Sequence, residues 1–368
     1  MVYQTTLRKN DQKKLDQIKR HWANRRPAED SSVATIDAQR DTTHAWVETD
    51  FSRVCHVFHN EWIGIRSACG NLPGRKISIS ADQPFDRADV EIVGERLLDL
   101  QVGKFVFHGF SANMHALIVF LSAAGASDGI YIVIHGSSPQ WVFDIDRGAI
   151  TDVLNLAKKG KIRRFHIMKR GQRTLLPSQF APVLYNLPPK FTKNLMTKKR
   201  DEGIIAKIGF VPGWSSLHKN IYTNIIGALQ APSLDEVWTY APPMDLSAFS
   251  GKRLVQKPHG SRDHFLEQVS RVSICLNASL LDCHPMVNIE AQAVGVPCIR
   301  GPLFLDHGED HEYVALTQVS DVCSMIDIAD AVERCMAVSD IEMQDMIKDY
   351  QGMMSAVALQ RYREFLEF

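Results

Sequence analysis

The sequence predicts an α/β protein made of two doubly wound lobes that face each other across a cleft. Short β-branched runs alternate with helical patterns over residues 51–190, and a second alternation begins after residue 203. Strands that alternate with helices are typical of a parallel sheet covered on both faces. A proline-rich basic stretch at 184–203 lies between the two arrays, and we interpret it as the interlobe linker.

The first array has five predicted strands and three predicted helices. The strands are rich in Val, Ile and Phe and lie at 53–59, 76–80, 104–109, 130–136 and 163–168; the helices lie at 89–100, 114–125 and 151–160. The second array has strands at 203–211, 235–241, 252–258, 272–279 and 296–301, with helices at 219–230, 261–271 and 286–295. Ligands of such sheets bind at the carboxyl ends of the strands.

Four segments follow from these patterns. Residues 1–50 are predicted to form a basic amphipathic helix and, over 27–50, a linker or loop; 51–190 are predicted to form the first lobe. Residues 204–340 are predicted to form the second lobe, and 341–368 a helix that crosses back to the first. The chain has 368 residues, a length that suits two domains of about 100–200 residues each.

The composition argues against several classes of protein. Lys+Arg and Asp+Glu both number 42, so the overall charge favours neither nucleic acid nor membrane as a partner. Seven scattered cysteines without a CxxC pair argue against a zinc site or a disulfide framework and suit a reducing cytoplasm. Residues 7–26 are rich in Lys and Arg; we interpret them as a solvated helix, or as a peripheral contact with anionic lipid or nucleic acid.

The stretch "LLDCHPMVNIEAQAVGVPCIRG" at 280–301 carries the clearest chemistry. Pro285 is placed to open a helix. The helix start comprises Pro285, Met286, Val287 and Asn288, and the unpaired backbone N–H groups there favour binding of a diphosphate. Glu290, about a turn further along, would reach an attached ribose. Asp282, in the preceding loop, would accept hydrogen bonds from sugar hydroxyls.

This stretch resembles the acidic-pair motif of retaining GT-B glycosyltransferases, above all the large family four. The resemblance implies that Glu290 binds the nucleotide ribose and that Asp282 binds the transferred sugar. The family more often has Glu at the first position, so Asp282 shortens the reach by one methylene. The resemblance also implies a GT-B fold, a UDP- or GDP-sugar donor and a hydroxyl acceptor on a glycan or glycolipid. It implies no metal and no cofactor.

The segment "GWSSLHKN" at 213–220 resembles the loop of that family whose Arg and Lys neutralise the donor diphosphate. Lys219 matches the Lys and Gly213 the Gly. Trp214 stands where the Arg is expected, so Arg300, Lys207 or a first-lobe residue would have to replace that charge.

Candidates in the first lobe come from the ends of its predicted strands. His135, in the strand segment at 130–136, resembles the family's histidine that contacts the donor sugar, and a histidine there can donate to a sugar hydroxyl. His108 repeats the strand–His–Gly arrangement and, with Asn60, is an acceptor-side candidate. Gly64, in "FHNEWIGIRSACG", would let the backbone approach the phosphates.

Several alternatives stay open at this stage. Asp144-Ile145-Asp146 matches the Asp-x-Asp metal motif of the other major glycosyltransferase fold. The basic segments 7–26 and 158–173 would suit a DNA-modifying glucosyltransferase of phage type. A sugar-nucleotide epimerase and a non-catalytic sugar-nucleotide-binding protein share the same architecture.

Overall fold

The computed structural model describes residues 34–37, 48–168, 176–189, 207–213, 217–242, 244–246 and 250–368. These residues form two sheets, one in each lobe, with helices packed on them. The basic segment 7–26 and Trp214 lie outside the described residues, so the predictions made for them stay predictions.

The first sheet has six strands in the order β1-β3-β2-β4-β5-β6. Its strands are β1 (Ala34–Asp37), β2 (Val54–His59), β3 (Arg75–Ile79), β4 (Lys104–His108), β5 (Ile130–Ile134) and β6 (Arg164–Ile167). Strand β1 is antiparallel to β3, and the other pairs are parallel. Strands β2 and β5 are buried along their whole length, as is typical of parallel strands covered on both faces.

The helices of the first lobe are α1 (Glu48–Phe51), α2 (Ile63–Asn71), α3 (Arg87–Asp99), α4 (Ala112–Ala123) and α5 (Asp144–Lys158). Two of them begin at side-chain caps. Asp86 and Asp89 form a reciprocal capping box at α3, and Ser111 accepts from the N–H of Met114 at α4. These caps satisfy backbone donors that a helix start leaves unpaired.

The second sheet is parallel, with the order β11-β10-β7-β8-β9. Its strands are β7 (Ile208–Val211), β8 (Glu236–Thr239), β9 (Arg253–Gln256), β10 (Ile274–Asn277) and β11 (Cys298–Arg300). Its helices are α6 (Ile221–Gln230), α7 (Arg262–Ser270), α8 (Met286–Ala293), α9 (Glu312–Thr317) and α10 (Met325–Met336). The strand order reverses between β7 and β10, and a crevice opens at such a switch point.

A long helix, α11 (Asp340–Leu366), returns from the second lobe to the first. Just beyond its end, Glu367 accepts from Arg163 at 2.8 Å and from the Tyr131 hydroxyl at 3.0 Å. Phe365 is buried and packs edge-on against Tyr131, with the two ring centroids 5.3 Å apart. The predicted crossover helix is therefore confirmed. Burying one apolar side chain such as Phe365 is worth about 1.5–3 kcal/mol, so this contact stabilises the attachment of α11 to the first lobe.

Over the described residues, the predicted strands and helices of both lobes are confirmed, with ends shifted by a few residues. The helix predicted at 151–160 begins earlier, at Asp144, and the first residues of the strand predicted at 203–211 lie outside the described ranges. One prediction was wrong. Residues 27–50 were expected to be linker or loop, but 34–37 form the antiparallel edge strand β1 and 48–51 form α1. Four residues are too short a window to show a periodicity, and the pairing with β3 comes only with the tertiary fold.

The segment predicted as the interlobe linker is described up to residue 189. Over 180–189 it has no helix or strand, yet Leu184, Tyr185 and Leu187 are buried. The chain therefore passes between the lobes as a packed segment over these residues. Among the described residues, no helix has the length and apolar character needed to cross a membrane.

Candidate functional site

The reversal of strand order in the second sheet brings two loops together. The loop after β7 carries Lys219 and the loop after β10 carries Asp282, and Lys219 Nζ donates to Asp282 Oδ2 at 2.9 Å. The backbone also joins the loops, since Leu280 N donates to His218 O at 2.9 Å. Topology thus places together a cation and a carboxylate that are 63 residues apart in sequence, at the position where a doubly wound sheet binds ligands.

Two asparagines hold these loops in place. Asn220 has a left-handed backbone with φ 52°, a conformation that Asn adopts more readily than most residues. Its side-chain amide donates to the carbonyl of Ala278 at 3.1 Å. Asn224, fully buried on α6, accepts from Ala278 N at 2.9 Å. The end of β10 is therefore fixed to the start of α6 before any ligand binds.

Helix α8 begins at the residue predicted for it, and Pro285 lies one position before its first helical residue. Pro285 is its N-cap, with φ −69° and ψ 133°, and Met286 is the first helical residue. Asn288 N bonds to the Pro285 carbonyl at 3.2 Å, while the Asn288 side chain accepts from Asn277 at 2.9 Å inside the lobe. The start of α8 therefore offers a ligand its backbone dipole and N–H groups, while the Asn288 amide oxygen is engaged within the lobe.

Met286 and Val287 are turned to apolar surroundings. Met286 is buried and packs with Ile289 and with Ala68 of the first-lobe helix α2, and Val287 packs on the core of the second lobe. The side chains of this turn therefore fix α8 between the lobes. Any contact from these two residues to a diphosphate would come from the main chain.

Glu290 is buried, with 5% of its surface exposed, and two residues orient its carboxylate. Ser67 of α2 donates its hydroxyl to Oε1, and Arg262 Nε donates to the same oxygen at 2.8 Å. No described residue donates to Oε2. A carboxylate oxygen accepts more than one hydrogen bond, so Oε2 keeps its acceptor capacity for the hydroxyls of a ligand.

The contacts of Glu290 are part of the interface between the lobes. Arg262, at the start of α7, also donates to Asn71 Oδ1 at the end of α2, at 3.2 Å. A second contact lies nearby, where Asn186 N donates to His284 Nδ1 at 3.0 Å and Asn186 Nδ2 donates to the His284 carbonyl. Glu290 of the predicted acidic pair thus lies at the interface between the lobes, where first-lobe residues complete its surroundings.

His284 is one of several buried, neutral histidines. Burial is the main cause that lowers its pKa to about 4, and the charge of Arg300 adds to the effect. Because its Nδ1 accepts from the backbone, the protonated ring would lose a hydrogen bond as well as its hydration.

In the first lobe, three histidines from adjacent strands are joined in a row, which we term the histidine row. His56 Nδ1 lies 2.9 Å from His108 Nε2, and His108 Nδ1 lies 3.0 Å from His135 Nε2. Burial lowers the pKa of His56 to about 4 and of His135 to about 3, and brings that of His108 well below its usual value. His108 is fully buried with both ring nitrogens engaged, so its predicted role in contacting an acceptor is corrected: it contacts His135 instead.

The other first-lobe candidates lie at the surface. Asn60 is exposed after β2, and its carbonyl and side-chain oxygens accept from Arg66 at 2.9 and 3.3 Å. Gly64 is exposed in the first turn of α2, where a Cβ would meet no atom within 4 Å. Gly213 in the second lobe is different, because a Cβ there would lie 3.0 Å from Ile221. A side chain at 213 would therefore require Ile221 to shift by a few tenths of an ångström.

Two residues suggested as replacements for the absent Arg make no described contact with the acidic pair. Arg300 is 3% exposed and is bound to Glu309 at 2.6 Å and Gln318 at 2.8 Å within the lobe. Lys207 precedes β7, at the end of the strand opposite the switch point. Lys219 and Arg262 are instead the cations that contact the acidic pair, at Asp282 and Glu290 respectively.

The Asp-x-Asp motif lies in the first turn of α5, where Asp144 pairs with Arg147 one turn further along the helix. The Asp144 side chain is 93% exposed. Within the described ranges, no group of three or more His, Cys, Asp or Glu side chains is arranged to hold a metal ion.

Sequence reasoning missed Ser67, Arg262 and His56, and it did not predict the contacts of Asn186 with His284. One signal was available for Arg262, since "HGSRDHF" places it directly after a Gly-Ser helix start, and Ser261 caps α7. Small residues in "IRSACG" are likewise typical of a helix that approaches another element closely. The contacts of Asn186 and His56 depend on the tertiary arrangement and left no local signal.

Solved structures share this two-lobe arrangement. A UDP-forming α,α-trehalose-phosphate synthase from Burkholderia xenovorans in complex with glucose-6-phosphate matches with a TM-score of 0.58 and 10% identity, over 86% of this chain and 100% of that chain. A protein described as trehalose-6-phosphate from E. coli bound with UDP-2-fluoro glucose matches with a TM-score of 0.51 and 12% identity, over 85% and 97%. The fold is GT-B.

A third GT-B match is the sucrose-phosphate synthase of Thermosynechococcus elongatus, with a TM-score of 0.54 and 11% identity over 85% of this chain and 98% of that one. No family model matches the sequence, and no curated protein matches it. The predicted two-lobe GT-B architecture is thereby confirmed, and the chemistry has to be argued from the site.

Proposed function

We propose that the chain is a glycosyltransferase that moves a sugar from a nucleotide-diphosphate donor to a hydroxyl acceptor with retention of configuration. The observation that carries this proposal is the orientation of Glu290. Its Oε1 is held by Ser67 and Arg262, while no described residue donates to Oε2. A buried carboxylate with acceptor capacity left over suits the vicinal hydroxyls of a ribose.

The other groups that we propose for the donor site belong to the segments that follow β7 and β10. The start of α8 offers a partial positive charge to a diphosphate. Lys219 Nζ has three donors, of which one is used by Asp282 at 2.9 Å, so the ammonium can also contact an anion. Asp282 lies beside that anion position, where it can accept from hydroxyls of the transferred sugar.

In this proposal the chain's own groups stabilise the leaving diphosphate. Charge that develops on it as the glycosidic bond breaks is compensated by Lys219 and by the α8 dipole, an electrostatic contribution. Asp282 and His135 hold the sugar from opposite sides of the cleft. The resemblance of the acidic pair to retaining enzymes supports front-face attack by the acceptor.

The choice of a UDP-sugar donor draws on the structures with the same fold. One is a UDP-forming synthase in complex with glucose-6-phosphate, and another contains UDP-2-fluoro glucose. UDP-glucose is therefore the first donor to test, with GDP-mannose as the alternative nucleotide. A sugar phosphate such as glucose-6-phosphate is the first acceptor to test.

The test begins with thermal stability, because a ligand that binds only the folded chain raises its melting temperature by mass action. We expect one nucleotide sugar to stabilise the wild-type chain and to be consumed when an acceptor is added, with retention visible by NMR of the product. Stabilisation without transfer to any acceptor would identify a non-catalytic sugar-nucleotide-binding protein. If no nucleotide sugar stabilises the chain, the proposal is wrong.

A further inference from the structure

The histidine row has a direction that its hydrogen bonds impose. At one end, His56 Nε2 lies 3.0 Å from the carbonyl oxygen of Pro73. A carbonyl only accepts, so His56 must carry its proton on Nε2. In a neutral imidazole the other nitrogen is then an acceptor, and His56 Nδ1 must receive a hydrogen bond.

The same reasoning passes along the row. His108 Nε2 donates to His56 Nδ1 at 2.9 Å, which leaves His108 Nδ1 as an acceptor. His135 Nε2 donates to that nitrogen at 3.0 Å. Burial keeps all three rings neutral, since it lowers each pKa well below the usual value. The carbonyl of Pro73 thereby determines the tautomer of a ring two strands away.

His135 is the end of the row that is nearest to the surface. It follows β5 at the carboxyl edge of the first sheet and is partly exposed, while His56 and His108 are fully buried. No described residue bonds to His135 Nδ1. The nitrogen that remains for a ligand is therefore the unprotonated one, which can accept a hydrogen bond but cannot donate one.

We propose that His56 and His108 are positioning residues that hold His135 in its Nε2–H tautomer, so that His135 Nδ1 accepts a hydrogen bond from a sugar hydroxyl. That the ligand is a sugar rests on the proposed function, whereas the tautomer of His135 follows from the hydrogen bonds of the row alone. An acceptor nitrogen selects a hydroxyl and disfavours a phosphate or carboxylate oxygen at the same position. The sequence suggested that this histidine donates to a sugar hydroxyl, and the row reverses that direction.

A fourth histidine provides an internal control. His166 Nδ1 donates to the carbonyl of Phe180 at 3.0 Å, and its Nε2 accepts from Leu184 N at 3.2 Å. Its neutral tautomer is thus the reverse of that in the row. One protein therefore contains both tautomers, each fixed by a backbone partner.

The primary experiment is ¹⁵N NMR of histidine side chains in the wild-type protein at neutral pH, which distinguishes protonated from unprotonated ring nitrogens. We expect the proton on Nε2 in all three members of the row and on Nδ1 in His166. A proton on Nδ1 of His135, or a charged ring, overturns the proposal. No ligand is needed, so this outcome is independent of whether the chain transfers sugar.

Two substitutions test whether His108 transmits the tautomer. The amide of His108→Gln can accept from His135 and donate to His56, so it preserves the direction of the row. The ring of His108→Phe can do neither. We expect His135 to keep its Nε2–H tautomer in the first variant and to become a mixture in the second. An unchanged tautomer in His108→Phe overturns the positioning role; should that variant not fold, loss of the Nε2–H tautomer in His108→Gln overturns it instead.

The ligand step is tested with UDP-glucose as the probe. A hydroxyl that donates to His135 Nδ1 should move its ¹⁵N resonance toward the protonated value, with the His166 resonances unmoved. Binding that leaves His135 Nδ1 unmoved overturns this step. Loss of one hydrogen bond in His108→Phe should weaken binding about two- to tenfold relative to His108→Gln.

Discussion

Replacing Glu290 separates ligand binding from structural support more clearly than any other change at the site. The carboxylate is 5% exposed and receives Ser67 and Arg262 on one oxygen. In Glu290→Gln the side chain keeps its size and one acceptor oxygen but loses the charge. In Glu290→Ala both oxygens are lost. The two variants therefore remove first the charge and then all of the hydrogen-bonding capacity of the side chain.

The expected magnitudes follow from these contacts. A hydrogen bond to a charged group is worth about 1.5–3 kcal/mol, so losing one ribose hydroxyl contact at Oε2 should weaken donor binding about 10- to 100-fold. The cost to the unliganded fold is smaller. Arg262 is 34% exposed and also contacts Asn71, so water can solvate it, and we expect about 1–2 kcal/mol for Glu290→Ala.

The assay is isothermal titration with UDP-glucose, combined with urea unfolding of each variant without ligand. Glu267→Gln is the matched control, because Glu267 pairs with Arg271 at 2.7 Å on the surface of α7 with about half of each side chain exposed. The control should bind and unfold like the wild type. Glu290→Gln should bind more weakly than the wild type and Glu290→Ala more weakly still.

The reasoning is refuted if Glu290→Ala binds UDP-glucose as the wild type does while the wild type binds measurably. It is also refuted if the loss in binding never exceeds the loss in unfolding free energy across the two variants. In that case the carboxylate would only brace the contact between α2 and α8, and the donor would have to lie elsewhere.

Three further outcomes can be measured on the same protein. Lys219→Ala should lower kcat for transfer from UDP-glucose about 10- to 100-fold with a smaller change in KM; an unchanged kcat would remove Lys219 from the mechanism. Unfolding below pH 6.5 should take up protons, since burial lowers the pKa of the histidine row and of His166. The free energy of unfolding should therefore fall from pH 6.5 toward 4, by up to about 1.4 kcal/mol per pH unit for each ring; urea titrations showing no loss over this range would contradict the assigned burial. Glu367→Gln should weaken the bond of the chain end to Arg163, which is 48% exposed, and lower the free energy of unfolding by at most about 1 kcal/mol; a larger loss would mean that this pair, not the apolar face of α11, holds the lobes together.

The sequence was most informative where the chemistry is local in the chain. Asp282, Pro285 and Glu290 belong to one loop and the helix that follows it, so their spacing alone predicts that they lie close together. The same holds for the strands and helices, whose patterns repeat within about ten residues. Strand β1 shows how short an element can be before its pattern is lost, because its four residues contain too little pattern to predict a strand.

Contacts that depend on strand order could not be predicted in this way. Ser67 and Glu290 are 223 residues apart in the chain, and nothing in either segment specifies the other. His108 and His135 were each recognisable as strand-end histidines, yet their contact requires β4 to lie next to β5. A candidate list derived from strand ends therefore includes positioning residues and contact residues together, and only the sheet order separates them.

The site joins ligand binding to the arrangement of the lobes. Ser67 and Asn71 on α2 contact Glu290 and Arg262 of the second lobe, so the proposed ribose acceptor is oriented by a residue from the other lobe. If the lobes moved apart, Glu290 would keep Arg262 but lose Ser67, and the acceptor oxygens would be less well fixed. A donor that favours the oriented carboxylate must then favour the closed arrangement by the same free energy. Ser67→Ala should accordingly weaken UDP-glucose binding about two- to tenfold without removing any group that contacts the ligand, and titration of that variant checks it; unchanged affinity would show that Arg262 alone orients Glu290.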